Sequence, residues 1–273
     1  DKRAAPRQLL HTAQCAVVLG LRYAWPRPPD PGGLTGKVAC YAWGRDYHNL
    51  IGKHLKRLRK RLAEGGIDST WGVDARPFIE RAWAERAGLG FLGRNCCAIV
   101  PGEGSYLFLA VGLVDTPLPP DPPRKGMARH CGACRRCLDA CPTNAFVSSG
   151  KLDARKCISW MTIEHRGPVP EAHREQVGRW VFGCDDCQEV CPHNHKPPAP
   201  LHDDLRPVEG RAWLDLEWVL TTPDDALDAA LLGSPLRRAK PWGLKRNAAL
   251  VLGNLGDPAG IRALEVGLRH PHP

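Results

Sequence analysis

Eight cysteines gathered between residues 131 and 191 constrain this chain more than any other feature. Cys131, Cys134, Cys137 and Cys141 stand as C-x2-C-x2-C-x3-C, closed by Pro142. This is the bacterial ferredoxin run: three closely spaced thiolates hold three irons of one [4Fe–4S] cube, and the fourth reaches a different cube. A second, shorter half follows as Cys184, Cys187 and Cys191 with Pro192. It lacks one ligand locally, and Cys157 in RKCISW is the candidate that completes it. With the fourth ligands crossed, one cube takes Cys131, Cys134, Cys137 and Cys191, and the other takes Cys141, Cys157, Cys184 and Cys187. Disulfides would need an oxidising compartment, and zinc prefers paired C-x2-C knuckles in sets of four; the run suits neither. Cys15, Cys40, Cys96 and Cys97 lie in or beside apolar runs and read as small core residues.

Around this array the 273 residues divide into three parts, an α+β chain overall. Residues 1–125 read as an α/β domain. Ala16 to Leu21, Val38 to Ala42, Cys96 to Val100 and Tyr106 to Val114 are short apolar runs that suit buried strands. Asp46 to Glu64 reads as a helix with Leu50, Ile51, Leu55, Leu58 and Leu62 on one face and a basic stripe opposite. A second helix is expected near Pro77, with Asp74 upstream and Gly88 as its stop. Five prolines between Asp115 and Lys125 mark a linker. Residues 126–200 form the ferredoxin-like module. Residues 201–273 turn helical: Arg246 to Leu255, a break at Gly256, and a new start at Asp257-Pro258 resemble one HEAT-type repeat. A single repeat leaves an apolar face open. Either the natural protein continues beyond Pro273, or this pair packs on the preceding domain. The chain opens at Asp1 without an initiator Met, so both ends are treated as incomplete.

The net charge of +9 favours an anionic partner such as nucleic acid. Each cube with four thiolates carries about −2 or −3, so much of that excess is counter-charge for the clusters. No run of eighteen apolar residues is present, which excludes a helical membrane span. No signal peptide is evident, and a cytoplasmic monomer is expected. A free ferredoxin needs about 60–80 residues. The long flanking segments therefore point to a redox enzyme with its own electron wire, fed by an external low-potential donor.

Beyond the cysteines, YAWGRDYH (Tyr41 to His48), VDARPFIERAWAERAGLGFLGRN (Val73 to Asn95), GSYLFL (Gly104 to Leu109), LDARKCISWMTIEHRG (Leu152 to Gly167) and FGCDDCQEVCPHN (Phe182 to Asn194) together resemble the epoxyqueuosine reductases. The resemblance spans most of residues 38–195. It implies cobalamin in the N-terminal α/β domain beside the clusters, and reduction of epoxyqueuosine to queuosine at the wobble position of tRNA anticodons. It implies Asp74 as proton donor, a carboxyl that burial from water would keep protonated; read by itself, Asp74 equally suits a helix cap. Arg3, Tyr41, Asp74, Gly90, Asn95, Cys96, Ser105 and Ser159 fall in the family's corrin-facing segments, with Gly88, Gly90 and Gly93 letting backbone approach a flat ring. No Asp-x-His-x-x-Gly motif is present, so a base-off cofactor without a protein His ligand is expected. Glu164 and Arg166, with Asp185 and Asp186, are candidates for reaching the anticodon loop. Arg237, Arg238, Lys240, Lys245 and Arg246 are candidates for the stem. Trp160 stands where the family mostly has Tyr, and His193 where it has Trp, which puts stacking at the second position in doubt. The competing readings are a corrinoid iron–sulfur reductase of a small molecule and a non-catalytic electron-transfer ferredoxin.

Overall fold

The computed structural model describes residues 5–74, 78–122, 131–195, 200 and 202–272. The first part comprises β1 (Cys15–Arg22), β2 (Thr35–Val38), α1 (Tyr47–Glu64), β3 (Ser69–Gly72), α2 (Glu80–Arg86), β4 (Phe91–Leu92), β5 (Ala98–Ile99) and β6 (Leu107–Val114). β6 is the middle strand of an antiparallel sheet, paired with β1 from Cys15↔Val114 to Arg22↔Leu107 and with β3 from Ser69↔Val114 to Gly72↔Val111. Its run LFLAVGLV is buried over most of its length, as both faces are covered. β1 lies at the edge and leaves Leu19 exposed. α1 begins where Asp46 accepts a hydrogen bond from the His48 amide at 2.9 Å, a side-chain N-cap. Tyr47, Leu50, Ile51 and Leu55 face the core, and the Lys/Arg stripe faces outward.

The cysteine segment contributes α3 (Arg136–Asp139), β7 (Phe146–Ser148), β8 (Lys151–Leu152), α4 (Ile158–Ile163), α5 (Glu171–Arg174), β9 (Trp180–Phe182) and α6 (Asp186–Glu189). The last part contributes β10 (Trp213–Asp215), α7 (Leu216–Thr221), α8 (Asp224–Ala230), α9 (Lys240–Leu255) and α10 (Ile261–Gly267). A second sheet takes one strand from each of the three parts, in the order β10-β2-β9. β2 pairs parallel with β9 (Lys37↔Trp180, Val38↔Phe182) and antiparallel with β10. Because β2 and β9 run in the same direction, they end side by side. One delivers Cys40 and Tyr41, the other Gly183, Cys184 and Asp185.

One large core crosses both linkers. It joins Trp43, Leu50 and Phe108 from the first part with Leu216, Leu227, Leu236, Leu244 and Val251 from the last. Each such Leu contributes about 1.5–3 kcal/mol on burial. The three parts recognised in the sequence thus share one interior. Gly256 takes the left-handed conformation (φ 63°) that ends α9, and Asp257 caps the next turn by accepting from the Ala259 amide. The α9–α10 pair packs on α7 of its own part, and α9 also packs on β9 and α4 of the cysteine segment.

Several expectations need correction. Val38 to Ala42 is not a strand: β2 stops at Val38 and the chain turns through a short 3-10 segment at Cys40–Ala42. Only Ala98–Ile99 of the Cys96 to Val100 run is strand. The C-terminal helix starts at Lys240, six residues before Arg246, with Pro241 in its first turn where a missing amide costs nothing. Pro77 lies outside the described residues; the helix after it begins at Glu80, with Ile79 at its N-cap. Among the described residues, no helix is long and apolar enough to cross a membrane.

Candidate functional site

The cysteines separate into two groups. Cys131, Cys134, Cys137 and Cys191 line one small cavity of about 80 Å³, with Asn95, Ile99 and Arg136. The first three hang on a turn closed by the Cys134 amide donating to the Cys131 carbonyl at 2.8 Å and on the start of α3. Cys191 arrives just after α6 and packs with Phe91 and Ile99. Burial pushes the Cys137 thiol up to about 11, and the neighbouring Cys131, Cys191 and Cys134 sulfurs push the same way. Thiolates crowded like this need a cationic centre among them. Cys157 stands beside Cys141, and Cys187 beside Cys184 and Cys157. The Ser159 and Trp160 amides, at the start of α4, favour the charged form of the Cys157 thiol, while burial has the larger effect and pushes it up. No disulfide forms among the twelve cysteines. Among the described residues no three His, Cys, Asp or Glu side chains close on a single-ion position.

Next to the second group opens a cleft of about 810 Å³, lined by Tyr41, Tyr47, His48, Asp74, Ile163, Glu164, Arg238 and Lys240 among others. Asp74 follows β3 in a left-handed conformation (φ 49°), which turns its side chain into the cleft. The Tyr47 hydroxyl donates to Asp74 Oδ2. His48 Nε2 lies 3.7 Å from the same oxygen, and His48 Nδ1 is 2.8 Å from Asp46 Oδ1. Tyr47 is stacked between His48 (4.1 Å) and Phe108 (4.0 Å), so its hydroxyl is fixed in place. Burial, then the Asp74 carboxylate, pushes the Tyr47 hydroxyl far up, which keeps it a neutral donor. The far rim carries Arg238, which pairs with Glu164 at 2.9 Å, Arg237, which pairs with Asp228, and Lys240. The cleft and the second cysteine group share a wall. Tyr41, which lines the cleft, packs with Cys184 on one small core and lies beside Gly183, and its ring is 6.0 Å from that of Phe182.

A family model described as a 4Fe-4S double cluster binding domain matches residues 130–194. Another, described as epoxyqueuosine reductase QueG, DUF1730, matches residues 3–79. Over 252 residues the chain is 42% identical to the epoxyqueuosine reductase of Synechococcus sp. (strain CC9605), covering 91% of this chain and 77% of that one. The chain belongs to the epoxyqueuosine reductase family. A crystal structure of an epoxyqueuosine reductase with a tRNA-Tyr epoxyqueuosine-modified stem loop superposes with a TM-score of 0.87 at 32% identity, covering 95% of this chain and 69% of that chain. The Bacillus subtilis epoxyqueuosine reductase, captured with its catalytic aspartate loop swung out of the active site, superposes with a TM-score of 0.88 at 31% identity, over 97% and 71% of the two chains. The chain is thus an epoxyqueuosine reductase, an oxidoreductase, with a double-cluster domain.

Against this epoxyqueuosine reductase frame the remaining site residues sort themselves. Of those expected to face a corrin, Tyr41 and Asp74 line the cleft. Asp74 caps no described helix, and it is not buried: its side chain is 53% exposed. Asn95 and Ser105 are buried in bonds to the cysteine module instead. Asn95 Nδ2 donates to the Cys187 carbonyl (3.3 Å), and Ser105 Oγ donates to Gln188 Oε1 (2.9 Å) while accepting from Asn194 (2.8 Å). Gly90 is required by packing, since a Cβ there would run into the Ile99 carbonyl, and one at Gly93 would meet Ile99 and Asn95; Gly88 takes a left-handed conformation (φ 71°) after α2. Cys96 takes a left-handed conformation and its carbonyl accepts from Arg81. Ser159 stands half-buried at the start of α4. Arg3 lies outside the described residues.

Among the residues expected to touch tRNA, Glu164 lies at the cleft rim. Arg166 instead donates to the carbonyls of Ala239 and Arg238, both at 3.2 Å, and so holds that rim from behind. Asp185 is 2% exposed and cannot reach RNA. Burial pushes its carboxyl up to about 7, against the pull of the Cys40 amide and Arg27. Asp186 accepts from the Trp180 indole. Lys245 is buried on Asp224 at 2.7 Å, and Arg246 donates to the Met161, His165 and Gly167 carbonyls. Neither is free to grip a stem. Sequence reasoning missed the Tyr47 contact with Asp74, although GRDYH contained it, and missed that Cys97 stands beside Cys187 of the cysteine module.

Proposed function

We propose that this reductase converts epoxyqueuosine to queuosine at the wobble position of tRNA anticodons, with two [4Fe–4S] clusters, cobalamin, and Asp74 as proton donor. The observation that supports this reading is that parallel strands β2 and β9 end side by side, so that Tyr41, which lines the Asp74 cleft, packs in one core with Cys184 of the second cysteine group. In this reading residues 1–125 contribute the cofactor-binding part, 126–200 the electron wire and 201–273 a helical platform for the tRNA. Two sets of four thiols suit two cubes, and the Ser159 and Trp160 amides would stabilise charge on the Cys157 sulfur.

The cleft suits a large flat group. It is wide, walled by the Tyr41 and Tyr47 rings and Ile163, and open at the rim. Tyr41 and Asp74, with Cys96 and Ser159 beside the cysteine module, would hold cobalamin there. Bound cobalamin would supply a two-electron reductant, which no side chain can offer. Epoxide opening leaves an oxygen that must take up a proton. Asp74 is aimed into the cleft for that task, with Oδ2 fixed by the Tyr47 hydroxyl and Oδ1 left to carry the proton. Its place on a loop suits the mobile catalytic aspartate of the Bacillus subtilis relative.

Arg237, Arg238 and Lys240 at the rim favour a phosphate-bearing substrate over a small organic one. A non-catalytic relay would have no use for the cleft. The test incubates cluster- and cobalamin-loaded enzyme, reductant and epoxyqueuosine-bearing tRNA, then measures nucleosides by mass. Queuosine should accumulate, and Asp74→Asn should slow it by about 10²–10⁴-fold with tRNA affinity retained. Unchanged epoxyqueuosine with the unmodified enzyme would remove the proposal; normal turnover by Asp74→Asn would remove the proton donor.

A further inference from the structure

Past Asp46 the cleft gives way to a second groove of about 470 Å³, between α1 and the segments around residues 208–211 and 232–233. Asp46 lines both spaces. The 232–235 segment divides them: Leu232 and Gly233 face the groove, Ser234 and Pro235 the cleft. Backbone bonds fix the walls. The Asp46 amide donates to the Gly233 carbonyl at 2.8 Å, and the Val208 amide to the Trp43 carbonyl at 2.9 Å. A strand of substrate that leaves the cleft on this side enters the groove directly.

Three cations, Arg45, Lys53 and Arg211, line the groove against one carboxylate, Asp46. Asp46 is taken up by His48, whose amide lies 2.9 Å and whose Nδ1 lies 2.8 Å from Oδ1. Arg45 has a loose partner in Asp204 at 3.7 Å. Lys53 stands exposed on α1 and pairs with no acid among the described residues. Arg211 is the sharper case. It is half-buried, its guanidinium reaches only the Gly44 carbonyl at a long 3.5 Å, and no acid among the described residues answers it. Burial alone acts on its pKa and holds it below the ordinary arginine value. A guanidinium drawn from water without an anion is costly, and a phosphate supplies the anion in matching geometry. At the rim of the cleft, by contrast, Asp228 and Glu164 already hold Arg237 and Arg238.

We propose that the groove of Arg45, Lys53 and Arg211 binds a backbone phosphate of the substrate RNA, one lying beyond the nucleotide held in the Asp74 cleft. The proposal rests on the tRNA reading above and adds a phosphate subsite to it. Arg211 holds the phosphate from the floor of the groove and Lys53 from α1, with Arg45 at the edge. Such contacts fix the register of the strand and carry no sequence information, so they serve every tRNA the cleft accepts.

The test is fluorescence anisotropy on the cluster-loaded chain with a labelled, epoxyqueuosine-bearing anticodon stem loop, titrated at several salt concentrations. A DNA hairpin of the same charge is the reference. Lys53→Ala and Arg211→Gln should each weaken stem-loop binding about three- to tenfold and flatten the slope of log affinity against log salt by about one unit. Arg59→Ala removes the same charge from another exposed face of α1 and should stay within about twofold. Should Arg211→Gln fail to load clusters, Lys53→Glu, on the exposed side of the helix, carries the test with a larger loss. Equal losses at Arg59 and Lys53 would mean diffuse attraction and overturn the site, as would Lys53 and Arg211 variants that bind like the unmodified chain. An unmodified chain that prefers the stem loop no more than the DNA hairpin overturns the tRNA reading itself.

Discussion

The cysteine module and the Asp74 cleft are built in opposite ways from the same chain. Five of the module's eight sulfurs stand in C-x2-C runs on short turns and four-residue helices, where the spacing itself sets which sulfurs meet. The cleft has no such local rule. Its walls come from Tyr41–His48, Asp74, Ile163–Glu164 and the 228–240 segment, which only the shared core and the β10-β2-β9 sheet bring together. Local spacing can thus specify a metal centre before the fold is known, whereas a substrate cleft exists only once distant segments have packed.

The module's long-range member offers the largest test of that contrast. Cys191 is remote in sequence from Cys131, Cys134 and Cys137 but shares their cavity. Cys191→Ala should therefore remove the same cluster as Cys131→Ala, with iron falling from about eight to about four atoms per chain. Cys157→Ala should remove the other. Electron paramagnetic resonance of reduced samples distinguishes the two centres. If Cys191→Ala and Cys184→Ala abolish the same signal, the ligands are not crossed and the module is local throughout.

The same contrast explains what could be read beforehand. Spacing revealed the cysteines, and the 3.6-residue period revealed α1, although Asp46 caps that helix rather than belonging to it. The fate of individual polar side chains was hidden. Arg237 and Arg238 reach the cleft while Lys245, a few residues on, is buried and Arg246 is half-buried and tied to backbone carbonyls. Nothing in a run of basic residues says which face of α9 meets α4. Asp185 looked like an exposed acid between ligands, yet the Cys40 amide and Arg27 hold it inside. The strand β9 was missed because its three residues WVF become a strand only on β2.

A moderate effect is expected where the two regions share a support. Asn247 on α9 is fully buried and donates to the carbonyls of Thr162 (2.7 Å) and Val181 (2.9 Å). One lies on α4, whose N-cap is Cys157, and the other on β9, which leads to Cys184. Asn247→Ala leaves both carbonyls unpaired and should cost about 2–4 kcal/mol, read from the urea midpoint. The second cluster should be lost before the first on mild heating. Parallel loss of both would mean that the helical part supports the whole molecule evenly rather than this end of the wire.

The smallest effect concerns the Asp46–His48 pair at the cleft. The Asp46 hydrogen bond raises the His48 pKa despite partial burial, and the same bond lowers that of Asp46. A raised histidine stabilises the fold fully below its unfolded pKa of about 6.5 and stops doing so as pH rises through the folded value. A lowered aspartate stabilises above about 3.9 and stops as pH falls through its folded value. The pair therefore acts at mildly acidic pH. Asp46→Asn keeps the α1 cap and removes the charge. It should cost less than about 1 kcal/mol near pH 5.5, because both groups are partly exposed, and almost nothing near pH 8.5. Urea unfolding at the two values reads the difference. A cost that stays constant with pH would mean that His48 is held neutral, and that the Tyr47 hydroxyl alone orients Asp74.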